Sequence, residues 1–171
     1  MIFDEMINRI LGFEGDYSND KKDPGNWTGG EIGKGVLNGT KFGISAASYP
    51  RLNIKNLTRE RAIEIYRTDF WDKLKIVNLP DSVAFQLLDF VINSGGTQAI
   101  RCLQRVIEVE DDGIWGPVSQ ARATHVSATD MVLGLIAERL EFLTRLQNWS
   151  SAGKGWARRI AQNLRYGLLD T

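Results

Sequence analysis

Between residues 15 and 43 the chain gives up helical periodicity for glycine. Eight of its 17 glycines fall here: Gly15, Gly25, Gly29, Gly30, Gly33, Gly35, Gly39 and Gly43, with Gly12 just before them. Glycine weakens a helix and readily takes the positive φ values that tight turns need. The stretch therefore predicts loops with one or two short hairpins. A long polar segment inside a compact domain is more often functional than idle. The rest of the chain is patterned for helices. Together these features predict a mainly α fold, α+β in class, with a small β-hairpin lobe near the N-terminus.

The helical patterns are specific. Ile2, Phe3, Met6, Ile7, Ile10 and Leu11 fall on one face of a helix over residues 2–13. Thr58 is placed to cap a helix carrying Ala62, Ile63, Tyr66 and Phe70. Pro80-Asp81-Ser82 opens another, with Val83, Leu87 and Val91 inward, and Gly95-Gly96 ends it. Thr97 is the expected cap of the next, which carries Ile100, Leu103, Val106 and Ile107. Asp111-Asp112-Gly113 reads as a turn, and Pro117 as the first residue of a short helix. Residues 129–147 and 153–168 give two more amphipathic helices. No repeat or linker interrupts them. With 171 residues, 43% of them hydrophobic, the chain has material for one domain, or one with a small appendage.

Composition removes several function classes. Twenty-one basic residues balance 21 acidic ones, so a nucleic-acid partner is not expected. Cys102 is the only cysteine and His125 the only histidine, too few for a zinc site of such ligands and for any internal disulfide. No metal or other cofactor is expected. Cys102 lies beside Ile100, Leu103 and Val106, the setting of a small core residue rather than a nucleophile. The Asp16-Ser18-Asp20 run lacks the glycine and the glutamate of a calcium loop. Gly33-Lys34 lacks the Ser or Thr of a phosphate loop. The N-terminus resembles neither a secretory signal nor a membrane span, so no stable membrane insertion is expected. A monomer is expected.

Two carboxylates stand out by position. Glu14 closes the first helical pattern, and Asp23 follows nine residues later in Asp23-Pro24-Gly25. One carboxyl at a helix end and a second on the next loop can serve glycosidic hydrolysis. One protonates the leaving oxygen; the other handles water or the cation. The negative end of the helix dipole disfavours an ionised Glu14, which raises its pKa as a general acid requires. Asp16 would act in the same direction. The ordinary readings are a solvated helix-end carboxylate for Glu14 and a turn-forming aspartate for Asp23.

Glu14-Gly15-Asp16-Tyr17, Asp23-Pro24-Gly25 and Thr40-Lys41-Phe42-Gly43-Ile44-Ser45 together resemble the N-acetylmuramidases of glycoside hydrolase family 108. That family opens Glu-Gly-Gly-Tyr, then Asp-Pro-Gly-Gly, then Thr-x-aromatic-Gly-Ile. Asp89-Phe90-Val91-Ile92-Asn93-Ser94-Gly95 and Asp112-Gly113-Ile114-Trp115-Gly116-Pro117 resemble the family's predicted peptidoglycan domain, so the likeness covers nearly the whole chain. It departs at Asp16, where the family has its second glycine. It departs also in the threonine: Thr28 has the short-motif spacing from Asp23, whereas Thr40 has the matching context. Thr40 is preferred, with Gly29 to Gly39 as an inserted hairpin or loop.

The resemblance implies a lysozyme-like fold with a cleft between lobes. Residues 1–75 would carry the muramidase site and residues 76–171 the peptidoglycan-binding part, packed as one domain. It implies Glu14, Asp23 and Thr40 as catalytic residues and bacterial peptidoglycan as partner. Tyr17, Trp27, Asp89, Asn93 and Trp115 are the candidate substrate-binding residues. Each has an ordinary alternative, since most tryptophans are packing residues and an Asn before Ser-Gly commonly ends a helix. The reaction is cleavage of the β-1,4 bond between N-acetylmuramic acid and N-acetylglucosamine. A carboxyl separation of ~6.5–9.5 Å gives inversion and ~5–5.5 Å gives retention. A lytic transglycosylase, a non-catalytic peptidoglycan-binding module and a Cys102–His125 amidase are the alternatives. The expected setting is host lysis by a phage endolysin, held in the cytoplasm until release to the wall; family members also assist bacterial secretion.

Overall fold

In the computed structural model, which describes residues 3–12 and 17–170, the chain divides into two units, Met1–Asp69 and Phe70–Thr171. The first begins with α1 (Phe3–Leu11), which buries Phe3, Met6, Ile7, Ile10 and Leu11 along one stripe. Asp4 and Glu5 occupy its first turn, where the helix dipole favours them. α2 (Arg59–Tyr66) is capped by Thr58, whose Oγ1 accepts from Arg61 N–H at 3.2 Å. Arg67 ties the two helices together. It pairs with Asp4 at 2.8 Å and lays its guanidinium 4.2 Å from the Phe3 ring centre. The helical pattern read through to Phe70 does not stay α-helical: Arg67–Asp72 is a π-helical segment.

The only two-stranded sheet among the described residues joins β1 (Thr40–Lys41) and β2 (Ile44–Ser45), antiparallel, with Thr40 opposite Ser45. Phe42 (φ 52°) and Gly43 (φ 77°) make its two-residue turn. Two positive φ values are the pattern of a type I′ hairpin, whose twist suits the strands. Phenylalanine is costly there. Its carbonyl is held by the Tyr66 hydroxyl at 2.6 Å, with the Lys41 ammonium 5.3 Å from its ring centre.

The second unit is built around α3 (Asp81–Ser94), which is buried from Ser82 to Ile92. A helix apolar nearly all round needs partners on every side, and α4 (Gly96–Val106), α6 (Ala128–Thr144) and α7 (Trp149–Asp170) supply them. α5 (Pro117–Ala123) starts at the expected proline. Thr97 does not cap α4. Gly95 does the turning instead, at φ 89° and ψ 150°, a backbone region open essentially only to glycine. Gln104 on α4 fastens the Asp112-Gly113 turn. Its Nε2 donates to Asp112 Oδ1 at 2.7 Å and to Ser119 Oγ at 3.1 Å, while its Oε1 accepts from Gly113 N–H at 2.8 Å.

Candidate active site

Glu14 lies outside the described residues; its expected neighbours can be followed from Tyr17 onward. Asp23 caps a 3-10 turn, Pro24–Asn26. Its Oδ1 accepts from Gly25 N–H at 2.9 Å, so the Asp-Pro-Gly turn chemistry is present. The side chain is nonetheless exposed, and Oδ2 has no partner among the described residues. One carboxylate oxygen builds the turn and the other is left over.

Thr40 is brought beside this turn by a web of backbone bonds. Asn26, fully buried, accepts at its carbonyl from Asn38 N–H at 2.9 Å and Gly39 N–H at 3.0 Å. Its Nδ2 donates to Asp20 O at 3.0 Å, which draws in the chain before Asp23. Ala47 N–H donates to Gly25 O at 3.0 Å, and a Cβ on Gly25 would stand 3.8 Å from Ser45 Cβ. Ser45 is Thr40's strand partner. Thr40 also exchanges both backbone bonds with Ser18, at 2.8 and 2.9 Å. Its hydroxyl makes no hydrogen bond among the described residues.

Thr28 differs. Its Oγ1 accepts from Val36 N–H at 2.9 Å, and its own N–H donates to Val36 O at 2.9 Å. With Gly29 N–H on Lys34 O and a bridge between Trp27 and Leu37, residues 27–37 close into a hairpin-like excursion. The Thr28 hydroxyl is spent inside it. Trp27 is half-buried and donates Nε1–H to Lys21 O at 3.0 Å, which staples the loop.

The Tyr17 ring packs closely against Gly39. A Cβ on Gly39 would sit 2.5 Å from the Tyr17 ring and 2.5 Å from Ser18 O, and Gly39 has φ +83°. Both the conformation and the close approach require glycine. Gly39→Ala is expected to cost about 2 kcal/mol or more from strain and overpacking. It should also displace Thr40 relative to the Asp23 turn. Urea unfolding and a turnover assay on the same protein would check this; an unchanged midpoint would contradict the packing described.

The second unit holds the other three candidates. Asp89 is 1% exposed on α3. Arg139 donates to its Oδ2 at 2.5 Å, Arg159 to its Oδ1 at 2.6 Å, and Asn163 to its Oδ2 at 2.7 Å. Burial pushes the Asp89 pKa up, but the Arg139 and Arg159 charges and hydrogen bonds outweigh it and hold the carboxyl at about 2. In this arrangement Asp89 is a core ion cluster with no oxygen turned to a ligand. Asn93 is half-buried near the end of α3 and accepts from Ser94 Oγ at 3.4 Å. Trp115 sits in a loop, as its sequence context predicts, yet is only 8% exposed, and its indole N–H has no partner among the described residues. It lines a pocket of about 600 Å³ with Leu79, Pro80 and Gln120.

Cys102 is fully buried, and burial pushes its thiol pKa up, which opposes thiolate formation. His125 is exposed. Among the described residues no group of three or more His, Cys, Asp or Glu side chains could hold a metal ion. No helix among them is long and apolar enough to cross a membrane.

The helical framework and its small hairpin are those of a mainly α, lysozyme-like protein. A solved structure of Brucella abortus SagA is similar over 98% of this chain and 94% of its own, with 30% identity and a TM-score of 0.82. The family profile for glycosyl hydrolase 108 matches residues 7–95. The chain belongs to that family and is a glycoside hydrolase. No curated protein matches it.

Proposed function

We propose that this glycoside hydrolase is an N-acetylmuramidase, cleaving the β-1,4 bond between N-acetylmuramic acid and N-acetylglucosamine in bacterial peptidoglycan. Glu14 protonates the leaving oxygen as general acid. Asp23 orients and activates the attacking water, or stabilises the oxocarbenium-like transition state, and the Thr40 hydroxyl shares that task. The observation that carries this reading is that the segments bearing Asp23 and Thr40 are fastened to each other. Backbone bonds through Asn26, Gly39 and Ser45 lock their two segments together, and Asp23 Oδ2 and the Thr40 hydroxyl are both left unpaired. Glu14 precedes the strand partner Ser18 by only four residues in sequence. Tyr17, Trp27, Asn93 and Trp115 remain candidates for sugar contact.

The biological setting we propose is lysis, with the enzyme made in a host cytoplasm and released to the wall. Digestion of purified peptidoglycan followed by mass spectrometry tests the chemistry. Reducing N-acetylmuramic acid ends are the expected product. Ends in the 1,6-anhydro form would make the chain a lytic transglycosylase, and binding without any product would make it a wall-binding module.

A further inference from the structure

The first unit carries a groove of about 430 Å³ between the 27–37 excursion and the Pro50–Asn53 loop. Thr28 and Val36 form one wall, Arg51, Leu52 and Asn53 the other, and Asn38 the floor joining them through its Nδ2 bond to Leu52 O at 2.7 Å. No acidic residue lines it. The Arg51 guanidinium has neither an ion pair nor a hydrogen bond among the described residues. The Arg51 and Asn53 backbone N–H groups are likewise without acceptors. Asn53 Oδ1 is taken by Asn56 N–H at 3.3 Å, which leaves its Nδ2 as a further donor. The groove thus presents a cation and several donors with no protein anion to meet them.

Its position gives this meaning. Asn38 is bonded through its N–H to Asn26, which closes the Asp23 turn, and it stands two residues before Thr40. The groove is therefore fastened directly to the segment proposed to do the chemistry. In peptidoglycan the lactyl group of muramic acid is where the stem peptide, with its carboxylates, is attached. A substrate whose scissile bond adjoins muramic acid brings an anion close to that bond. An unpaired guanidinium is the side chain best shaped for a carboxylate.

Resting on the muramidase reading, we infer that this groove is a subsite for the stem peptide of peptidoglycan, with Arg51 holding a peptide carboxylate. The enzyme then prefers peptide-bearing, ionised wall over neutralised wall.

The test is a cycle of substrate and protein changes: native against carboxyl-amidated peptidoglycan fragments, wild type against Arg51→Gln. For wild type, amidation should lower kcat/KM about threefold to fivefold, the size of an exposed ion pair. Arg51→Gln should lose about as much on native fragments and nothing further on amidated ones. Arg51→Lys should recover part of the loss. Raising the salt concentration should erase the wild-type preference. A preference that survives in Arg51→Gln, or its absence from wild type, overturns the inference. Binding of Glu14→Gln and Glu14→Gln/Arg51→Gln to the two insoluble walls runs the same cycle without turnover. Coupled binding losses with no cleavage by wild type would sink the muramidase reading and keep the subsite; cleavage without coupling would do the reverse.

Discussion

Asp89→Asn is expected to destabilise the chain by about 3–5 kcal/mol, the cost of removing one partner from a buried ion pair. The substitution keeps the shape of the side chain, deletes its charge, and turns one accepting oxygen into an N–H donor facing other donors. Arg139, 2% exposed, and Arg159, 11% exposed, then lose the carboxylate they share. At roughly 2–4 °C per kcal/mol for a chain of this size, the melting temperature should fall by roughly 6–20 °C. Calorimetry would check it. The double variant Asp89→Leu/Arg139→Met should cost less than Asp89→Asn alone, because it removes the two fully buried charges together and leaves only the part-exposed Arg159. If Asp89→Asn melts with the wild type, the cluster contributes nothing of this kind.

The same carboxyl gives a pH signature. Its folded pKa, about 2, lies below the ordinary 3.8. On acidification the unfolded chain takes up the proton first. Stability from Asp89 is complete above pH 3.8, declines as pH falls toward 2, and is gone below that. The slope is worth about 2 kcal/mol over the window. Asp89→Asn should lack this part of the acid loss, which separates it from other carboxylates.

That cluster also marks where sequence reading stops. The α1 stripe, the Thr58 cap and the Pro117 start were legible because each depends on residues within a turn or two. Asp89 drew attention as part of a family motif, but its partners lie 50, 70 and 74 residues later. No local pattern announces that a carboxylate will meet two arginines across three helices. Trp115 shows the same limit: its motif makes it a candidate for sugar contact, and tertiary packing leaves it only 8% exposed. The choice between Thr28 and Thr40 hung on a register. Only when Thr28 pairs with Val36 does one hydroxyl become engaged while the other stays open. Arg51 gave no sequence signal at all. A lone basic residue gains meaning only from the groove around it and from what fails to neutralise it.

Glu14→Gln is expected to lower turnover of peptidoglycan by about 10²–10⁴-fold, the usual contribution of a positioned proton donor. Glutamine keeps the length and polarity of the side chain and cannot give up a proton to the leaving oxygen. Affinity for the wall should be retained, so the loss should fall on kcat rather than on KM. The alkaline limb of the pH–rate profile, which reports deprotonation of the acid, should disappear with it. Asp23→Asn should also lose heavily, and the double variant with Glu14→Gln should lose little more than the worse single one, if acid and water-positioning group act as a unit. Thr40→Val should lower the rate with little change in stability, because its hydroxyl supports no hydrogen bond in the fold. Thr28→Val should do the opposite. It breaks the bond from Val36 N–H and costs about 1 kcal/mol, while any rate loss stays within the few-fold contribution of the groove that Thr28 helps to wall. Full activity in Glu14→Gln would end the proposed mechanism. A rate loss in Thr28→Val with none in Thr40→Val would move the site into the 27–37 excursion, and with it the partner that Asp23 requires.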